Sequence, residues 1–125
     1  MPKGEEKRKF VRVLLDIPCK FSSMDYPTEN ADAKVIDISV NGVSIETNTE
    51  VTLGENLQLK IMLPNGLNCE FAGQVMWNKS GQNIRKYGLK LTKINMLDRI
   101  KLGDFIMSQL AEQNYLIKQF LKKNL

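Results

Sequence analysis

The sequence predicts a mainly β protein, a six-stranded antiparallel (split) β-barrel with one C-terminal α-helix. Apolar and polar residues alternate with period two through most of residues 11–92, as in strands with one face on a core. The runs are separated by turn signals, and Pro64-Asn65-Gly66 between two alternating runs marks a hairpin. From Met96 the period changes to a 4-3 spacing that continues to Leu121, which is helical. Six short strands joined by hairpins leave the fewest open edges when they close into a barrel.

The first strand is read from Val11, Val13, Leu15, Ile17, Cys19 and Phe21, which alternate with Arg12, Leu14, Asp16, Pro18, Lys20 and Ser22. Pro18 favours an edge or a bulge. Residues 22–32 are polar, carry Pro27 and form a connection. Strands two and three cover about 33–39 and 43–48, and a turn-rich link follows to Gly54. Leu57, Leu59, Ile61 and Leu63 mark strand four. The return strand is expected to bury Leu67, Cys69, Phe71, Val75 and Trp77, with Gly73 at a bend. A second hairpin loop, residues 78–83, leads to the last strand, 84–92, with Tyr87, Leu89 and Leu91 in phase.

In the helix Met96, Ile100, Gly103, Met107, Leu110, Asn114, Ile117 and Leu121 follow the 4-3 spacing. Leu102, Phe105, Ile106, Leu116 and Phe120 widen the apolar stripe. Asn95 is placed to cap its N-terminus, Asp98 suits the first turn, and Lys122 and Lys123 suit the last. A helix of about 25 residues is roughly 38 Å long, more than such a barrel covers. The distal cluster Leu116, Ile117, Phe120 and Leu121 therefore predicts a homodimer through this helix, with Asn114 pairing with its own copy to fix the register. A helix that bends at Gly103 and folds back along the barrel is the alternative.

The chain has 125 residues, 42% hydrophobic and 26% charged, which suits one soluble globular domain. Residues 1–12 read as a flexible arm, 13–95 as the barrel, and 96–125 as a helix of the same domain. No apolar run approaches the roughly 20 residues of a membrane span. The N-terminus lacks an apolar export core, so the expected location is cytoplasmic. Cys19 and Cys69 fall on apolar strand positions and are expected as free core thiols. The chain has no histidine, which removes the commonest general base and metal ligand. No paired carboxylates stand in an apolar context, so the reading is a binder and not an enzyme, with no metal and no cofactor. Residues 1–78 carry eight Lys/Arg and eleven Asp/Glu, a net −3, while residues 79–125 carry ten and three, a net +7. A basic half attracts anions, although lysines on a helix and a hairpin also simply solubilise.

Two short motifs carry chemistry. Asp37 and Ser39 interrupt an apolar run, and Gly42 follows three residues later. A carboxylate and a hydroxyl at i and i+2 of a strand share a face, and glycine admits φ > 0 or a close backbone approach. Taken alone, the stretch also reads as a strand end with an Asx or Ser turn. The chain has only four arginines, and two of them stand in Arg8-Lys9-Phe10-Val11-Arg12. A guanidinium fork suits phosphate oxygens and the O6/N7 edge of guanine. Taken alone, this pair also reads as a solvated basic tail.

Arg8-x-x-x-Arg12 upstream of Asp37-x-Ser39-x-x-Gly42 resembles the signature of the PilZ family, bacterial receptors for the second messenger cyclic di-GMP. Gly73-Gln-Val-Met-Trp77 and Tyr87-Gly88-Leu89-Lys90-Leu91 resemble later strands of the family, so the likeness covers about residues 7–95. The resemblance implies the barrel reached above from periodicity. It also implies cyclic di-GMP as ligand, with Arg8, Arg12, Asp37, Ser39 and Gly42 as the site. The arginines would clamp phosphates and guanine edges, Asp37 would accept from guanine N1–H and N2–H₂, and Ser39 would bond base or phosphate. Gly42 would allow close backbone approach. Lys7, Lys9 and Asn41 are further candidate contacts, and the run Lys7-Arg8-Lys9 bears on how many ligand molecules bind. Gly4 and the charge run give residues 1–11 little to pack with. Ordering of that arm on ligand binding would create a surface for a downstream partner protein, which the sequence does not name. Two alternatives stand beside this reading. One is a PilZ-like barrel acting as a protein-interaction or oligomerisation module. The other is a small barrel binding single-stranded nucleic acid, which ranks lower because most of the nine aromatics fall on core phases.

Overall fold

A computed structural model describes residues 13–26, 29–39, 41–64 and 66–123. The strands are β1 (Val13–Ser23), β2 (Ala31–Ile38), β3 (Gly42–Thr47), β4 (Asn56–Met62), β5 (Asn68–Ser80) and β6 (Arg85–Lys93), followed by the helix α1 (Met96–Lys123). Every strand pair is antiparallel, and the order β1-β2-β3-β6-β5-β4, with β4 returning to β1, closes the barrel. The expected architecture is thus the observed one.

The predicted alternation sets the core. Ile17, Cys19 and Phe21 of β1, Val35 and Ile38 of β2, and Val43 and Ile45 of β3 are all buried, as are Leu57, Leu59 and Ile61 of β4. Phe71 and Val75 of β5 and Tyr87 and Leu89 of β6 complete the ring. Each full burial contributes about 1.5–3 kcal/mol. Tyr87 brings a polar tip inside, and its hydroxyl oxygen accepts from the Val51 N–H at 2.9 Å. Cys19 and Cys69 both register against Ile61, from opposite sides. Two strand spacings, about 9–10 Å, exceed the reach of a disulfide, and both thiols are free. Burial, with Asp32 adding, pushes the Cys19 thiol up to about 12. Burial, with Asp98 adding, pushes Cys69 up to about 11. Pro18 sits where β1 already pairs with β2 but the pairing with β4 starts only at Cys19, so the barrel tolerates its missing N–H.

Two expected core residues lie outside. Leu67 belongs to the β4–β5 turn, where its carbonyl accepts from the Leu63 N–H at 2.9 Å, and it is exposed. Trp77 is 43% exposed. A register shift between Val75 and Trp77 moves the tryptophan opposite Gly88, on the outer face. The indole lies so close over Gly88 that a Cβ there would overlap its ring nitrogen.

The helix runs unbroken for 28 residues through Gly103, so it neither breaks there nor folds its second half back along the barrel. Its start is capped as expected. The Asp98 N–H donates to Asn95 Oδ1 at 2.8 Å, and Asn95 Nδ2 donates back to Asp98 Oδ2 at 3.0 Å. The barrel buries Leu102, Phe105 and Ile106. The 4-3 stripe is therefore mostly not the packed face: Met96, Ile100, Met107, Ile117 and Leu121 are exposed, and only Leu110 of it packs in part on the core. The contact is made by three of the residues expected to widen the stripe, Leu102, Phe105 and Ile106, while Leu116 and Phe120 are exposed. Near the helix start β5 runs on without β6, which pairs with it only from Ala72 onward. There the Asn68 carbonyl accepts from Lys101 Nζ at 3.2 Å, and the Glu70 N–H donates to Asp98 Oδ2 at 3.4 Å. Side chains of α1 thus take the place of a strand along that stretch.

Candidate functional site

The β2–β3 connection is built around Ser39. The Ser39 N–H donates to the Gly42 carbonyl at 2.9 Å. Its hydroxyl oxygen accepts from the Asn41 and Gly42 N–H groups, both at 3.2 Å, and the hydroxyl lies 3.4 Å from the Gly42 carbonyl as donor. Ser39 is 2% exposed. Its side chain is thus committed to the turn, and the place it takes is structural: it fixes the path of residues 39–42. Asn41 is exposed, and its carbonyl accepts from the Leu91 N–H at 3.0 Å, which carries the β3–β6 ladder one step beyond the strand.

Gly42 is required by packing between strands. A Cβ at this position would lie 2.6 Å from the Leu89 carbonyl oxygen, backbone against backbone. Its φ is not positive: among the described residues only Gly54 and Gly66 have positive φ. Of the two uses of glycine expected from the sequence, the structure shows a close approach, and the approaching backbone is β6.

Asp37 is half-buried near the end of β2. It registers with Leu14 of β1 and Ser44 of β3, after an irregularity that separates it from the inward Val35. Ser44 registers with Gly88, and Gly88 with Trp77. Leu14, Asp37, Ser44, Gly88 and Trp77 therefore form one outward row around the barrel, since the neighbouring Ile38, Val43, Tyr87 and Leu89 point in. The adjacent outward row holds Gly42, Lys90 and Gln74. Lys90 is exposed directly across from Gly42, a cation beside the turn that sequence reasoning missed. The signal was its outward phase between Leu89 and Leu91, which becomes informative only once β6 is known to flank β3. Trp77 was missed as a surface residue for the reason given above.

Arg8, Arg12, Lys7 and Lys9 lie outside the described residues. Arg85, in contrast, donates to the Asn48 carbonyl at 2.9 Å and ties down the link after β3. A groove of about 810 Å³ lies elsewhere, where β1, β4, the start of β5 and the first turns of α1 meet, lined by Cys19, Lys20, Lys60, Ile61, Cys69 and Lys101 among others, and none of the candidate residues lines it. Among the described residues no three His, Cys, Asp or Glu side chains gather as a metal site, and no helix is long and apolar enough to cross a membrane.

The fold is shared with known structures. The inhibitor of motility MotI/DgrA of Bacillus subtilis superposes with a TM-score of 0.70 at 23% identity, over 84% of this chain and 52% of that one. The PilZ domain of YcgR from Escherichia coli, with c-di-GMP, gives 0.71 at 15% identity over 90% of this chain and 98% of that one. The K. pneumonia MrkH–c-di-GMP complex gives 0.72 at 14% identity, over 86% and 53%. This chain spans about half the length of the MotI and MrkH chains. No curated protein sequence matches it. The model of the PilZ domain matches residues 6–108, a span that takes in both motifs, the whole barrel and the packed half of α1; the chain belongs to the PilZ domain family.

Proposed function

We propose that this protein is a cytoplasmic, non-enzymatic receptor for cyclic di-GMP. The observation that carries the reading is Asp37, outward and half-buried beside a turn that Ser39 and Gly42 hold rigid, with Arg8-x-x-x-Arg12 upstream in family order. The YcgR and MrkH structures of the same fold contain c-di-GMP, which supports the choice of ligand. Asp37 accepts from guanine N1–H and N2–H₂, and the guanidinium groups of Arg8 and Arg12 clamp phosphate and the guanine O6/N7 edge. Ser39 acts chiefly through the turn it braces, Gly42 by keeping β6 close, and Asn41 offers an exposed amide. Lys7 and Lys9 add charge from the arm, and Lys90 supplies a phosphate contact from β6. Binding draws the arm against the β2–β3 side, and the covered surface recruits a downstream protein. The same reading gives α1 a second copy of the chain as a partner.

Parallel calorimetric titrations with cyclic di-GMP, GTP and a short oligonucleotide test the ligand. Micromolar affinity corresponds to about 8 kcal/mol, so heat is expected from cyclic di-GMP alone at about 100 μM. Neither heat nor a shift in melting temperature with cyclic di-GMP refutes the reading, and heat from the oligonucleotide favours the nucleic-acid alternative.

A further inference from the structure

The barrel and the 4-3 stripe use different faces of α1. At 100° per residue, Leu102, Phe105 and Ile106 centre roughly 120° away from the line through Ile100, Met107, Leu110, Asn114, Ile117 and Leu121. Most of this second line is open to solvent, with Ile100 at 52%, Met107 at 66%, Ile117 at 56% and Leu121 at 51% exposure, while Leu110 lies at the border and packs in part against the barrel core. It extends over the whole helix, including the turns beside the barrel. Excess length alone does not account for it.

We infer that α1 pairs along this line with α1 of a second copy, as a parallel, in-register, two-stranded coiled coil. The inference rests on the homodimer reading above and adds its face and direction. A 3.5-residue repeat from Met96 to Leu121, almost four heptads and apolar at every position but Gly103 and Asn114, is what knobs-into-holes packing of two helices requires. Asn114 falls at an a position, where it meets Asn114 of the partner subunit only if the helices are parallel and in register. The flanking charges agree. Arg99 precedes an a position and Asp104 follows a d position, so in a parallel pair Arg99 approaches Asp104 of the partner subunit, twice by symmetry. Gly103 lies on the line with nothing within 4 Å of where a Cβ would stand, which leaves room for a partner helix. The distal cluster then divides: Ile117 and Leu121 lie in the seam, Phe120 flanks it, and Leu116 points away with the barrel-side stripe.

Sedimentation equilibrium of the full chain, at tens of micromolar, tests the face by comparing wild type with Ile117→Asp and Leu116→Asp. Both positions are exposed, and circular dichroism checks that both variants fold. The expected result is a dimeric wild type, an Ile117→Asp variant that dissociates at least about tenfold more readily, and a Leu116→Asp variant that stays dimeric. The direction is tested by Asn114→Cys, which under mild oxidation cross-links a parallel pair, while Cys19 and Cys69 are buried. A monomeric wild type overturns both the seam and the homodimer reading. A dimer broken by Leu116→Asp but not by Ile117→Asp keeps the homodimer and overturns the seam. A dimer that Asn114→Cys does not cross-link overturns the parallel register.

Discussion

Replacing Gly42 by alanine separates a glycine needed by the fold from one needed by the ligand. The added Cβ would stand 2.6 Å from the Leu89 carbonyl oxygen, whereas ordinary contact begins near 3.4 Å, so β3 and β6 must separate locally by 0.8 Å, the difference of the two. Neither contacting atom is on a flexible side chain. A shift of that size stretches the neighbouring 3.0 Å bond from the Leu91 N–H to the Asn41 carbonyl beyond hydrogen-bond range. The lost bond costs about 1 kcal/mol, and overpacking between strands adds about 1–2 kcal/mol. The expected destabilisation is about 2–3 kcal/mol, or a fall in melting temperature of roughly 6–15 °C for a domain of this size. Thermal unfolding followed by far-ultraviolet circular dichroism, without ligand, measures it. Gly103→Ala is the matched comparison: nothing crowds that position, so the better helix former should raise stability by about 0.5–1 kcal/mol. If Gly42→Ala melts within about 2 °C of wild type, the steric argument is wrong, and the glycine is needed for something other than strand spacing.

Three further outcomes are expected. Asp98→Ala leaves the Asn95 cap on the residue 98 N–H but removes the carboxylate that accepts from Asn95 Nδ2 and from the Glu70 N–H, and should lower stability by about 1–3 kcal/mol, read from the denaturant midpoint. The raised thiol pKa values mean that folding favours the protonated form: this contribution is complete below the ordinary value of 9.0 and is lost as the pH rises toward about 11 and 12. Stability should therefore fall as pH rises above 9, less steeply in a Cys19→Ala/Cys69→Ala variant, and a thiol reagent near neutral pH should label the native protein far more slowly than the unfolded one. Arg12→Ala should weaken cyclic di-GMP at least about tenfold, since a charge-assisted fork is worth about 1.5–3 kcal/mol, and Lys90→Ala by less; calorimetry on folded variants that showed unchanged affinity would remove those residues from the site.

Much of this architecture was legible because period two is a geometric property of strands. The inward residues of β1, β3, β4 and β6 follow it without interruption, and the Asn95 cap follows from the hydrogen-bonding needs of a helix end. What escaped has a common physical origin. Alternation reports a face only while the register is regular, and the shift between Val75 and Trp77 reverses it, which put Trp77 outside. In α1 two apolar stripes about 120° apart overlap in the sequence, and periodicity alone does not say which one the barrel takes. At the site, the motif order was readable, but the roles of Ser39 and Gly42 depend on contacts within the turn and with Leu89 of β6, a neighbour more than forty residues away in the chain.

The first turns of α1 have a consequence for solubility. By engaging the Asn68 carbonyl and the Glu70 N–H, Lys101 and Asp98 cover a length of β5 that would otherwise offer backbone groups and the neighbouring Cys69 to any extended chain. Exposed edges of that kind recruit further strands and seed aggregates. A chain cut after Lys93 keeps all six strands, yet it should form edge-to-edge oligomers on storage, because the helix also acts as the guard of an unfinished sheet.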